Sequence, residues 1–513
     1  MNRNQRLVLV ASILGSFVAF LDMAVVNVAL PAIHADLGGG FAAEQWVVDA
    51  YLLALGSLIL VAGSLSDLFG RKRVFAAGLI GFAATSLLCA CAPTVGFLIA
   101  ARGLQGVAGA LLVPSALAMI LASFDGPAQS KAIGTWTAWT GISFVLGPLV
   151  GGVLADAGGW RWVFAINLAP VAVTLTVLSR TAREPAGERA NRIDVAGALL
   201  CAAALGGIIF GLIEQPGRGW NDLMIVGALG GGGIALVAFL LHERRAAKPM
   251  LDLALFRSHN FAAGNLATVA IYAGLSAAMF LIALFLQQVA GYSATKAGLA
   301  MVPVTILMFA LSPLFGRLSA RLGPRLFMTV GPMIAAAGFL LMSHLDARGD
   351  YLHGLLPGVL VFGLGLSATV APLTAATLGQ IGERQAGVAS AVNNAIARVA
   401  GLLAVAALGA VMALGSGRVV DDAVAHRSLD AQVVAYLRES RQGPLDTEVP
   451  ARLRSHAATL GPILEAASVA AFRAGLHGAA LLLLAGGVVS AAGIRNRPDP
   501  ARARASKNLR GTK

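Results

Sequence analysis

The chain has 513 residues, of which 57% are hydrophobic and only 12% charged, and its 38 Lys and Arg against 25 Asp and Glu leave a net charge of +13. Soluble proteins carry roughly 25% charged residues, so a water-facing fold of this composition would lack the polar surface to cover itself. The mean hydropathy of +0.78 and the apolar runs of about 20 residues point to an all-α polytopic membrane protein. The only cysteines, Cys89, Cys91 and Cys201, lie inside apolar runs, which excludes a disulfide scaffold.

In chain order, runs long enough to cross a ~30 Å hydrocarbon core cover 7–31, 46–65, 73–92, 95–121, 132–155, 160–179, 194–214, 222–241, 260–286, 294–316, 325–345, 352–378, 386–415 and 473–493, which makes fourteen expected spans. The first is too long for a signal peptide and carries Asp22, so it reads as a retained helix. With the N-terminus inside, 25 Lys and Arg fall in inner segments and four in the short outer loops. That bias places both termini in the cytoplasm and the chain in the cytoplasmic (inner) membrane. The basic tail 495–513 then attracts anionic lipid, and no nucleic-acid partner is expected. Segment 416–473 is polar, and the spacing of Val433, Val434, Leu437, Leu453, Leu460, Ile463 and Leu464 suggests amphipathic helices forming a solvated outer hairpin.

An internal repeat organises these spans. Gly63, Leu65, Ser66, Gly70 and the bases from Arg71 recur as Gly316, Leu318, Ser319, Gly323 and Arg325 at an offset of 253, and Gly134 maps onto Gly387. Spans 1–6 and 9–14 thus read as parallel six-helix halves with two helices inserted between them. The expected units are 1–180, the inserted pair 181–258, the second half 259–494 including 416–473, and the tail 495–513.

At these residues the sequence resembles the fourteen-span drug:proton antiporters of the major facilitator superfamily, from about residue 10 to 415. Gly63-Ser-Leu-Ser-Asp67-Leu-Phe-Gly70-Arg71-Lys72-Arg73 is similar to that superfamily's loop signature G-x-L-a-D-r-x-G-r-k. Arg102-Gly-Leu-Gln105-Gly106 resembles its fourth-span R-x-x-Q-G motif, and Gly147-Pro148-Leu-Val-Gly151-Gly152 its fifth-span exporter motif, with Ser143 standing where glycine is usual. Stretches around Asp22 to Pro31 and Trp160 to Asn167 are similar to first-span and sixth-span patterns, with Ala24 where Thr is frequent. The resemblance implies a major facilitator fold, a cytoplasmic gating loop at Gly63, Asp67, Gly70, Arg71 and Lys72 that latches the two halves, and spans 1 and 4 bordering a central cavity.

Ionisable groups inside spans are costly, about 2.5–3.5 kcal/mol each at a helix centre, so each is a functional candidate. Asp22 lies nine residues before Pro31, about 13 Å below the outer end of its span, and Arg102, eight residues into an inward-running span, lies about 12 Å deep. With spans 1 and 4 both bordering the cavity as the resemblance implies, matching depth predicts an Asp22–Arg102 pair or a proton-dependent exchange of partners there, with Asp22 the first choice of proton carrier and Asp49 a weaker one that reaches interfacial water. Arg102, Gln105, Gly106 and Gly109 share one helix face, and Ser143, Gly147 and Gly151 form a groove of small side chains beside Pro148, where a local bend is expected. Asn27, Gln105, Asn393, Asn394 and Arg398 are candidate cavity residues.

The reading is a monomeric proton-coupled antiporter that exports amphipathic drug-like or antibiotic molecules. It needs no cofactor or metal and draws on the proton gradient, with the substrate, protons and the bilayer as partners and any envelope efflux partner left open. A dedicated exporter of one metabolite, lipid or siderophore is the alternative. A membrane enzyme or receptor is disfavoured, because no metalloprotease motif, phosphate loop, nucleophile elbow or Cys/His metal spacing occurs.

Overall fold

The computed structural model describes residues 1–496 except 125, 183–193, 247–248, 250, 252, 348, 379–382, 428, 441–442, 444 and 448. The tail from 497 onward and the side chains of Gly63 and Asp67 lie outside the described residues, so the tail and the Asp67 latch receive no structural account.

The described residues are helical throughout: α1 (Arg3–Leu37), α2 (Gly40–Phe69), α3 (Arg71–Ala90), α4 (Val95–Ser123), α5 (Gly126–Gly158), α6 (Arg161–Ala165), α7 (Leu168–Ser179), α8 (Val195–Arg218), α9 (Leu223–Arg245), α10 (His259–Gln288), α11 (Ala294–Ala300), α12 (Val302–Leu322), α13 (Pro324–Met342), α14 (Leu356–Leu378), α15 (Glu383–His426), α16 (Ala431–Glu439) and α17 (Ala457–Gly493). In hydrocarbon every backbone group must be satisfied within its own segment, which is why long apolar runs become helices. Twelve helices among the described residues are long and apolar enough to cross a membrane. Large apolar side chains such as Leu223, Ile234, Phe309 and Leu481 point outward, a surface that suits lipid and would be a liability in water.

The repeat is visible in the packing. Helix α4 packs against α2 and α3 as α14 does against α12 and α13, and α1 packs against α5 and α7 as α10 does against α15 and α17. Gly70, the single residue joining α2 to α3, has φ +93°, and its repeat mate Gly323, joining α12 to α13, has φ +88°. Both turns need the left-handed backbone that glycine adopts without a Cβ penalty. Helices α8 and α9 pack on each other, and α8 also touches α2 and α15, so this pair sits where the halves meet.

The start of α1, held by a reciprocal Asn2–Gln5 capping box, and the end of α17 define a termini side. On the far side, Gln288 at the end of α10 donates to Glu44 near the start of α2 at 2.6 Å. Asp156, near the end of α5, accepts from the backbone N–H groups of Ala294 and Thr295 at 3.1 and 2.9 Å. The two halves are therefore joined across the far side.

Span 160–179 is found as Arg161–Ser179, with a turn at Ile166 and Asn167 where both residues keep right-handed helical backbone. Two expected boundaries need correction. Spans ending at 415 and starting at 473 continue instead as helix, α15 to His426 and α17 from Ala457. Hydropathy falls at the membrane boundary while helical spacing persists, so a hydropathy count stops too early. The extensions form their own small core: Val420 and Ala423 of α15 meet Leu460, Ile463 and Leu464 of α17 and Val433 and Leu437 of α16. The amphipathic pattern thus packs inward as a projecting helical hairpin capped by α16.

Candidate proton and substrate site

The expected pair forms. Arg102 of α4 donates through Nη1 to Oδ2 of Asp22 on α1 at 2.6 Å, and each residue is only 1% exposed. The other carboxylate oxygen accepts from Gln105 Nε2 at 3.0 Å and from Asn167 Nδ2 at 2.8 Å. Ser86 of α3 accepts from the same two amides at 2.9 and 3.2 Å. Arg102 also donates to the Gln105 Oε1 at 2.7 Å and, through Nε, to the Val47 carbonyl at 3.1 Å. Its guanidinium lies over the Tyr51 ring, 4.3 Å from the centroid.

Backbone proximity makes this possible. A Cβ on Gly106 would fall 2.3 Å from the Tyr51 carbonyl oxygen, and one on Gly109 would fall 2.9 Å from the Tyr51 hydroxyl. Glycine at both positions lets α4 press onto α2 and seats Tyr51 under Arg102. Asn167, at the turn between α6 and α7, is fully buried and faces the same centre through its bond to Asp22.

Asp49 is a correction to the expectation. It does not reach the surface: its exposure is 0%, and neither carboxylate oxygen has a hydrogen-bond partner among the described residues. It lies on α2 between Val47 and Tyr51, which hold Arg102, and one turn from Gln45. Gln45 donates across the halves to the α15 carbonyls of Val405 and, at 3.3 Å, Ala406.

The fifth-span groove faces two partners. A Cβ on Gly147 would lie 2.3 Å from the Ala24 Cβ, and one on Gly151 would lie 2.8 Å from Val25, so both press α5 against α1. Gly152 instead faces the other half, where a Cβ would lie 2.6 Å from the Ala294 carbonyl oxygen, and Gly298 of α11 meets the Pro148 carbonyl in the same way. Ser143 is buried and donates to the Thr140 carbonyl of its own helix, which lets a serine stand in this seam.

Arg71 and Lys72 open α3, and Lys72 donates to the Thr181 carbonyl at 2.9 Å. The second-half candidates separate. Asn393 donates to Asn265 and Thr268 of α10 at 2.9 and 3.0 Å, Asn394 is exposed, and Arg398 reaches α1, with Nη1 3.0 Å from the Met23 sulfur and the guanidinium 5.2 Å from the Phe20 ring centroid. Asn27 is partly buried with an unpaired Oδ1. Sequence reasoning missed Ser86 and the role of Asn167. A signal existed for Asn167, a polar residue seven positions inside an apolar run and so about 10 Å deep, near the level of Asp22.

Residues 12–405 match the family described as the Major Facilitator Superfamily. The chain is 34% identical over 414 residues to Multidrug resistance protein Stp of Mycobacterium tuberculosis, covering 80% of this chain and 77% of that protein. It is 33% identical over 472 residues to the Tetracenomycin C resistance and export protein of Streptomyces glaucescens, covering 90% and 86%, and 36% identical over 409 residues to Puromycin resistance protein pur8 of Streptomyces alboniger, covering 79% and 81%. Among solved structures, a bacterial homologue of the human lysosomal transporter Spinster in an inward-facing and unoccupied conformation superposes with a TM-score of 0.69 at 17% identity, covering 98% of this chain and 100% of that one. A polytopic helical bundle built on this repeat, with relatives named for drug and antibiotic resistance, is a small-molecule transporter and not an enzyme: the chain belongs to the major facilitator superfamily.

Proposed function

We propose that the chain is a proton-coupled antiporter that exports amphipathic, drug-like or antibiotic molecules across the cytoplasmic membrane by alternating access. The observation that carries this reading is the contrast between two buried carboxylates. Asp22 accepts from three side-chain donors, whereas Asp49, equally buried, has no hydrogen-bond partner among the described residues. Asp22 and Arg102 then act as a fixed counter-ion pair, and Asp49 carries the proton. Asp49 sits one turn from Gln45, at the seam the halves close on the far side, so taking up a proton is the condition for closing that side. Substrate enters from the termini side, and exposure of Asp49 to water on reopening allows the cycle to repeat.

The twelve spans, with the 30-residue α2 and the 33-residue α5, make fourteen crossings in this reading, both termini in the cytoplasm and the α8–α9 pair inserted between two six-helix halves. Relatives named for a single antibiotic, tetracenomycin C and puromycin, favour a second reading, a dedicated exporter on the same machinery. A dye and drug accumulation panel in a pump-deleted host, with and without a protonophore, tests both. Protonophore-sensitive export of several unrelated compounds supports the first reading, export of one supports the second, and export of none contradicts the proposal.

A further inference from the structure

The transport centre contains one cation that the proton chemistry leaves unused. Arg398 lies on α15, partly buried, and its guanidinium reaches across to α1, where its contacts are the Met23 sulfur at 3.0 Å and the Phe20 ring. Among the described residues no carboxylate lies within 4.0 Å of it: Asp22 is bonded to Arg102, and the other ion pairs involve different cations. Its ionisable neighbours are two phenols, Tyr51 and Tyr272, on α2 and α10. A phenol of ordinary acidity is neutral near pH 7 and does not balance a positive charge. Aromatic rings and a thioether from α1, α2 and α10 thus lie about this guanidinium, and among the described residues no carboxylate pairs with it.

Leaving a charge unbalanced within a membrane bundle is expensive, and such residues mark substrate pathways. Arginine presents a planar fork of donors that fits a carboxylate on two atoms, and aromatic and methionine side chains beside it favour a flat apolar body. We propose that Arg398 is the substrate's anion site, so that the exported molecules are aromatic amphiphiles carrying a carboxylate or an equally acidic oxygen. This rests on the export reading above and adds the charge of the substrate to it. The Asp22–Arg102 pair beside it is already closed on itself, which leaves Arg398 as a cation with no carboxylate within 4.0 Å among the described residues.

The test compares three probes on one scaffold, anthracene carboxylate, anthracene methanol and anthracene methylammonium, binding to purified protein in lipid nanodiscs without a proton gradient. The wild type is expected to bind the carboxylate about tenfold or more tightly than the other two, the scale of a charge-assisted contact. Arg398→Gln should erase that preference, with alcohol binding retained, and Arg398→Lys should keep part of it. Met23→Glu leaves Arg398 in place and provides an internal carboxylate within its reach, so it too should lose the preference, which keeps the test sound if Arg398→Gln fails to fold. Equal binding of the three probes, a preference for the ammonium, no binding of the carboxylate, or an unchanged preference in both Arg398→Gln and Met23→Glu overturns the anion site. Transport is read separately in proteoliposomes: a chain that prefers the carboxylate yet moves no probe under a pH gradient contradicts the export reading while leaving the anion site standing.

Discussion

Arg102 and Asp22 meet at 2.6 Å between α4 and α1, with Gln105 and Asn167 completing the carboxylate's shell. A pair this deeply buried is stable only as a pair. Removing one partner leaves an uncompensated charge, at a cost of about 3–5 kcal/mol. Arg102→Met should therefore lower the thermal unfolding temperature sharply, and adding Asp22→Leu should recover part of the loss. Unfolding scans of the purified variants in one detergent check this; a double variant no better than the single would show that the pair has another structural source of stability.

The Gly147 contact makes a size-exchange prediction. Ala24 occupies the space a Cβ on Gly147 would need, 2.3 Å away. Gly147→Ala should destabilise the α1–α5 seam by about 1–3 kcal/mol through overpacking, and Ala24→Gly in the same chain should restore much of the stability and transport. Transport assays and unfolding scans on the single and double variants measure it. The same contact accounts for alanine at position 24, since a larger side chain there would collide with α5.

Asp156 ties the halves on the far side by accepting two N–H groups at the start of α11. Each hydrogen bond to a charged acceptor contributes about 1.5–3 kcal/mol. Asp156→Ala should shift the population toward a far-side-open form, seen as a longer distance between spin labels placed at the far ends of α2 and α11. Asp156→Glu should show a smaller shift, and an unchanged distance distribution in Asp156→Ala would remove this carboxylate from the closure.

Much of this was legible in the sequence, and the exceptions have physical causes. The Asp22–Arg102 pair followed from helix rise, which puts the two charges at one depth, together with the family resemblance that brings spans 1 and 4 to one cavity. The repeat at offset 253 was readable because Gly70 and Gly323 answer the same backbone demand at the same turn. Hydropathy failed at 415 and 473 because it reports the apolar stretch and not the helix itself, so α15 and α17 run on beyond it. That Asp49 has no hydrogen-bond partner and Arg398 no paired carboxylate among the described residues was not legible, since such an absence depends on every neighbour at once. Asn393 and Arg398, one helical turn apart and more, looked like one cluster, yet one faces α10 within its own half and the other crosses to α1.

The central claim is that Asp49, and not Asp22, carries the proton. The most direct measurement reconstitutes wild type and Asp49→Asn in proteoliposomes and compares substrate counterflow with accumulation driven by a pH gradient, using one dye transported by the wild type. Asn mimics the neutral acid, so the variant should fold, unfold at the wild-type temperature and retain counterflow while losing gradient-driven accumulation. If Asp49→Asn concentrates the dye under a pH gradient as the wild type does, the account is contradicted.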